Sequence, residues 1–298
     1  MKYAFIAGQG DSYPVEVLCQ ALMVSPSGYA HWKAAGTARR TAGRRLSDEH
    51  LLTLIRAIHA KTRGAYGSPR IFSELKDEGY PVGKARVEKL MRTHGIRARH
   101  RRRFKATTDS RHGLPVAPNV LGRQFRPSAP NMSWAADITY IATGEGWLYL
   151  AVVLDLYDRS VVGWSIKPRM TTDLVTDALT MAWYRRKPGW GLVHHSDRGS
   201  QYASQTFQAK LQEFGMVCSM SRKGNCWDNA VAESFFNSLK NERVHGQHYD
   251  MRDHAKADLF DYIEAFYNRS RRHSTLGGKS PAWTYEAWLK RHQAQLAA

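Results

Sequence analysis

Three carboxylates stand apart from the other acidic side chains by where they fall and how they are spaced. Asp137 lies inside Trp134-Ala135-Ala136-Asp137-Ile138-Thr139-Tyr140-Ile141, an otherwise apolar run with strand character. A charge in such a place costs several kcal/mol unless it is paired or metal-bound. Asp197 follows the short apolar strand Leu192–His195, just before Gly199, and α/β proteins gather ligands at the carboxyl ends of their strands. Glu233 sits at the margin of a helical stripe made by Ala232, Phe235, Phe236 and Leu239. Any one of them alone reads as a surface charge. Together they have a fixed spacing: 35 residues separate Asp197 from Glu233, and Lys240 follows seven later, two turns along the same helix face. Convergent oxygen donors suit Mg2+. A pair of such ions about 3.5–4 Å apart is the usual protein answer to phosphoryl transfer.

The bulk composition points to the same chemistry. The chain has 298 residues, a net charge of +18 and 43% hydrophobic residues. That excludes wholesale disorder and makes a polyanion the default partner. Residues 1–110 hold 21 Lys/Arg against 9 Asp/Glu, whereas residues 111–298 hold 23 against 17. The first part is built to grip phosphates and the second keeps its carboxylates. Cys19, Cys218 and Cys226 are too few and too scattered for a disulfide framework or a four-ligand zinc site. No stretch approaches 18 apolar residues, so neither a membrane span nor a signal peptide is expected, and the chain is assigned to the cytoplasm, bound to the nucleoid.

Other side chains in this neighbourhood are set aside. Asp155 and Asp158 read as turn chemistry between strands. Asp228 reads as the N-cap of the helix that carries Glu233. His194 and His195 have no cysteine at metal spacing. A Ser, Cys or Tyr nucleophile would need Arg and His clustered around it. Trp183, Trp190, Trp283 and Trp288 are read as packing anchors rather than base-stacking platforms.

The elements that must position the three carboxylates follow from periodicity. Strands are expected at Trp134–Ile141, Trp147–Leu154, Arg159–Ile166, Leu192–His195 and Met216–Met220, with helices at Thr171–Tyr184, Ser204–Phe214 and Asp228–Arg243. This order gives an α/β domain on a mixed sheet over 131–290, with a tail at 291–298. Upstream, Val15–Met23 and a second short helix after Ser25-Pro26 form either a helix-turn-helix or a hairpin that only packs. A basic linker over 36–46 closes this first segment, 1–45. Residues 46–106 form a three-helix unit: Ser47 caps the first helix, Ile71, Phe72 and Leu75 mark the second, and Val87, Leu90 and Met91 are buried by the third. The third helix shows Lys84, Arg86, Lys89 and Arg92 on its outer face, which fits a recognition helix in a DNA groove. Six of the nine residues 97–105 are basic, among them Arg101, Arg102 and Arg103, a phosphate-binding arm. Residues 107–130 read as an extended linker.

The spaced carboxylates resemble the D-D-35-E core of retroviral-type integrases and bacterial insertion-sequence transposases. The segments Trp134–Tyr140, His195–Tyr202, Gly224–Ala230, Glu233–Phe236 and Tyr267–Gly277 resemble the second-frame (OrfB) product of the insertion-sequence-three family. Tyr66–Ile71 resembles that family's upstream helix-turn-helix. The resemblance covers nearly the whole chain. It implies a ribonuclease-H-like catalytic domain preceded by small all-α helix-turn-helix units. It further implies that Asp137, Asp197 and Glu233 bind two Mg2+ ions, with Mn2+ able to substitute, that Lys240 contacts the element's terminal DNA, and that Arg198 and Asn229 orient DNA. The implied reaction is 3′-end cleavage followed by strand transfer, through a circular intermediate copied out and pasted in. The implied partners are terminal inverted repeats, target DNA, further copies of the chain (at least a dimer on DNA), and an upstream-frame (OrfA) segment joined by a frameshift. The zinc module of retroviral integrases is missing, since only Cys19 precedes residue 218. A DNA-binding protein without catalysis, or a nuclease on the same fold, are the rival expectations.

Overall fold

A computed structural model describes residues 2–9, 14–41, 46–99, 114–222 and 226–296. The chain divides into two compact units, one made of Met1–Thr62 with Tyr66–Arg97, the other of Arg63–Ala65 with Ala98–Ala298.

The first unit is all helical. It contains α1 (Lys2–Gln9), α2 (Val15–Ala21), α3 (Pro26–Thr41), α4 (Asp48–Lys61), α5 (Ser68–Asp77) and α6 (Lys84–Thr93). Helices α1 to α3 close around Ile6, Cys19 and Tyr29. Ser25 Oγ accepts from Gly28 N at 3.0 Å, which starts α3 after the turn. Two expectations change here. Lys2–Gln9 is a helix that the sequence reading did not assign, and the linker read over 36–46 is helical through Thr41. The reason is propensity: Ala and Arg dominate residues 34–40, and the single Gly36 costs only about 1 kcal/mol. In the second trio Ser47 accepts from His50 N and caps α4, as expected. Leu51, Ile55, Ile71, Leu75 and Val87 form its buried centre.

The second unit is a five-stranded sheet in the order β3-β2-β1-β4-β5. Its strands are β1 (Ser133–Thr143), β2 (Gly146–Asp155), β3 (Val161–Lys167), β4 (Val193–Ser196) and β5 (Val217–Met220). The first three are antiparallel neighbours, and β4 and β5 add in parallel beyond β1. Helices α7 (Thr172–Arg186), α8 (Ser200–Ala203) and α9 (Gln205–Glu213) cover one face around Trp134, Val153, Leu179 and Phe207. On the other face, α10 (Ala230–Leu239) and α11 (Arg252–Phe260) pack around Leu150, Val152, Phe235 and Leu259. Gly163 sets the first packing distance, because a Cβ there would overlap the carbonyl of Ala178 in α7.

The expected strands and helices up to Leu239 occur within a few residues of their expected ends. Helix α11 and the final helix α12 (Pro281–Leu296) lie outside the expected elements, and α12 continues past residue 290 into the expected tail. Residues 114–130 are not a free linker. Leu121 packs against Ala135 and Leu156, and the N–H groups of Val120 and Leu121 both donate to Ser219 Oγ at 3.0 Å.

Candidate active site

The parallel pairing of β1 with β4 covers three residues: Ser133 with Val193, Trp134 with His194, and Ala135 with His195. Two residues further on stand Asp137, still within β1, and Asp197, one residue past the end of β4. The same register therefore brings the two carboxylates level, where the paired strands part. Asp137 faces away from the Trp134, Ala136 and Ile138 side of the sheet, toward α10, which carries Glu233. Each aspartate has one oxygen held by backbone. Ile138 N donates to Asp137 Oδ1 at 2.8 Å, and Gly199 N donates to Asp197 Oδ1 at 2.9 Å.

The electrostatics show that these groups share one space. The Asp137 carboxyl is pushed well above its ordinary value, first by burial, then by the charge of Asp197, and further by Glu233. The Ile138 N–H and Lys240 act in the opposite direction without cancelling this. Burial also raises Glu233. Lys240 is pulled down to about 8 by burial, with Asp137 opposing. Its Nζ lies over the Tyr140 ring, 5.0 Å from the centroid. All three carboxylate residues keep part of their surface open to solvent, so the cluster can be approached. It carries excess negative charge on hard oxygen donors, which is the chemistry a divalent cation fits. Among the described residues, no three His, Cys, Asp or Glu side chains are gathered closely enough to cage a metal unaided.

The surroundings revise several expectations. Asn229 Nδ2 donates to Ala136 O at 3.1 Å, which places it beside Asp137, and its Oδ1 is buried with no partner among the described residues. Arg198 turns toward the sheet, with Nε donating to Ser221 O at 2.6 Å. Asp228 is not an N-cap. Cys226–Asn229 form a 3-10 turn, α10 begins at Ala230, and Asn229 occupies the cap position. Asp228 instead accepts from Arg222 Nε and Nη2, Arg123 Nε and Asn119 Nδ2, at 2.8–3.0 Å. These bonds, Arg222 first, hold its carboxyl well below the usual range. The expected helix to Arg243 is α-helical only to Leu239 and continues as a wider π turn over Lys240–Val244. His195 bonds Ser219 and Ser221 at 2.8 and 3.2 Å and serves as a core group, not a ligand.

The turn reading of Asp155 and Asp158 holds. Tyr157 N and Ser160 N donate to them at 2.8 and 2.7 Å, and Arg186 Nη2 closes on Asp158 at 2.8 Å. Trp183 stacks on Phe214 and Trp288 on His292. Trp190 and Trp283, however, are 88% and 53% exposed and anchor no core. In the helical unit Lys84, Lys89 and Arg92 are exposed on α6. Arg86 is not: it bonds Asp48 Oδ1 at 2.8 Å and Leu46 O at 2.6 Å, which ties α6 to α4. Arg101, Arg102 and Arg103 lie outside the described residues.

Three antiparallel strands extended by two parallel ones, with helices on both faces, define a ribonuclease-H-like polynucleotidyl-transferase core. Integrase core domain models match residues 127–226 and 233–286, and an HTH-like domain model matches 46–104. The chain is 45% identical to the transposase InsF of insertion sequence IS3fB from Escherichia coli K12, over 94% of this chain and 97% of that one. It is 46% identical to a 31 kDa protein of insertion element IS600 from Shigella sonnei, over 89% and 96% of the two chains. Solved structures align more loosely. A simian T-cell lymphotropic virus intasome chain gives a TM-score of 0.43 at 16% identity, covering 78% of this chain and 74% of that one. The HTLV-2 integrase catalytic core gives 0.38 at 19%, covering 54% and 99%. The chain belongs to the insertion-sequence-three family of transposases: it is a DNA transposase with an integrase-type catalytic core. No described helix is long and apolar enough to cross a membrane.

Proposed function

We propose that Asp137, Asp197 and Glu233 are the catalytic carboxylates of this transposase and hold two divalent ions, Mg2+ or Mn2+, during 3′-end cleavage and strand transfer. One observation carries the reading: Asp137 and Asp197 each follow the last paired residues of β1 and β4 by two positions, with α10 and its Glu233 packed against β1. When bound, the ions supply a clamp on the attacking and leaving oxygens of an in-line displacement. Backbone N–H groups of Ile138 and Gly199 fix the aspartates. Lys240, held over Tyr140, presents a cation to a phosphate of the element end. Asn229 and Arg198 border the same space and orient DNA there. Lys84, Lys89 and Arg92 of α6 contact DNA at the terminal repeats, with Arg86 setting the pose of that helix and Arg101 to Arg103 adding phosphate contacts. Acting on paired ends requires at least two copies, and an upstream-frame segment extends the active form.

A strand-transfer assay with element-end DNA and Mg2+ tests the assignment. Asp197→Asn and Glu233→Gln should each abolish joining while DNA binding persists. Undiminished joining by either variant sinks the catalytic assignment.

A further inference from the structure

Two charged groups buried behind α10 have no part in this reading. Glu242, in the π turn that follows α10, is 7% exposed, and Arg271, in the segment after Tyr267, is 4% exposed. Arg271 Nε and Nη2 donate to the two Glu242 oxygens at 2.7 and 2.6 Å, and the Tyr262 hydroxyl donates to the same carboxylate at 2.8 Å. Arg271 Nη2 also reaches Ser238 Oγ of α10 at 3.0 Å. The guanidinium lies against the Tyr267 ring, 5.5 Å from its centroid. Stability alone is a weak reason for such a group. Replacing a buried ion pair by apolar side chains of similar volume is often neutral or better, and the best-attested use of such pairs is to fix one geometry.

What this pair fixes is the stretch that carries Lys240. Ser238 and Glu242 stand two residues before and two after Lys240. Positions two apart on a helix point about 200° apart, so Arg271 grips one side while Lys240 projects from the other, over Tyr140 of β1. The backbone widens at the same place: Lys240 O accepts from His245 N at 2.7 Å, five residues on. Such π turns are rare and recur at functional sites. Arg271 spans this one, with one bond to the α-helical part and others to the turn itself. We propose that Arg271 and Glu242 are positioning residues of the reaction, a clamp behind α10 that holds the π turn and so aims Lys240 at the phosphate it contacts. The proposal rests on the reading of Lys240 as a DNA contact.

The test is the salt dependence of binding by the full chain to a duplex carrying the element's terminal repeat. Losing one phosphate contact lowers the slope of log affinity against log salt by about 1. A mere loss of folded protein scales every titration alike and leaves the slope unchanged. Wild type is compared with Lys240→Met, with Glu242→Leu and Arg271→Met combined, and with all three substitutions together. The expected result is a slope lower by about 1 in each, with the triple variant losing no more than Lys240→Met. A wild-type slope in the combined pair, with that of Lys240→Met lowered, overturns the proposal alone. A further loss in the triple variant places the action of the pair elsewhere and also overturns it. A wild-type slope in Lys240→Met removes the Lys240 reading and this proposal with it. If the combined pair does not fold, Arg271→Lys takes its place, keeping a charge beside Glu242 but not the fork that also reaches Ser238. The same outcomes then decide.

Discussion

Two pairs of aspartates sit in the same sheet unit, and they are treated in opposite ways. Asp155 and Asp158 are wholly buried, yet both are ringed by hydrogen-bond donors, and Arg186 pairs with Asp158. Asp155 accepts from Asn131 N, Tyr157 N and Trp134 Nε1. Asp158 accepts from Ser160 N and from Arg186, itself capped by the Tyr285 ring of α12, 3.7 Å from the guanidinium carbon. Asp137 and Asp197 are more open to solvent, each takes a backbone N–H on one oxygen, and at Asp137 Lys240 does not offset the raising influences of burial and the neighbouring carboxylates. Burial is therefore not what separates a structural carboxylate from a reactive one. The difference shows at Asp158 and Asp137: Arg186 closes on the first, while Lys240 leaves the second raised.

The comparison breaks most sharply at the open pair. Asp197→Asn should lower the joining rate by about 10³-fold or more, since metal stabilisation of the transition state is worth several kcal/mol and each 1.36 kcal/mol is tenfold. Asp137→Asn should do the same to joining while raising the Tm in EDTA, because it removes a charge that the metal-free fold repels. A Tm that falls would show that pair to be architecture too. At the closed pair, Arg186→Met should cost about 3–5 kcal/mol of stability, because it strands buried charge. Joining per folded molecule should be retained. Calorimetry beside a single-turnover assay separates these outcomes.

Mg2+ sharpens the contrast with a smaller effect. At about 100 times its Kd, a cation that binds only the folded state adds about 2.7 kcal/mol. Wild type and Arg186→Met should both gain Tm with Mg2+, and Asp197→Asn should not. The smallest effect is in pH. Burial, then Asp158, raise Asp155 to about 6 in the fold, against an unfolded value of 3.8. Between those values the folded state holds the extra proton, so this group's contribution to stability is lost as pH rises through the window. Removing Arg186 takes away one of the influences that lower Asp155, so the deficit of Arg186→Met should shrink by ~1 kcal/mol at pH 5 relative to pH 8. Equal deficits at the two values would mean the pair does not titrate with folding. Taking the difference between variants cancels the opposing pull of His194, which burial lowers to about 3.

The strands, the α10 stripe and the positions of the three carboxylates were legible because each depends on local period or fixed spacing. What stayed hidden depends on partners distant in sequence. Asp228 looked like a cap because its position before a helix is a local signal. Two of its actual donors, Asn119 and Arg123, lie 109 and 105 residues away. Arg86 looked like part of an outward cationic face, and its acceptor Asp48 is 38 residues earlier. Helices α11 and α12 carry local signals too, Ala255 and Leu259 four apart in the first and Pro281 at the first position of the second.

The three-residue ladder between β1 and β4 also says which length changes this protein can absorb. Side chains alternate along a strand, so one residue inserted between His195 and Asp197 would turn the carboxylate to the opposite side of the sheet. A residue added after Met220, where β5 has already ended, leaves that step intact and alters only how α10 is approached. The 35-residue interval is thus less a ruler than a by-product of the elements it contains. Relatives that differ in its length should keep the two-residue steps from Ala135 to Asp137 and from His195 to Asp197 unchanged.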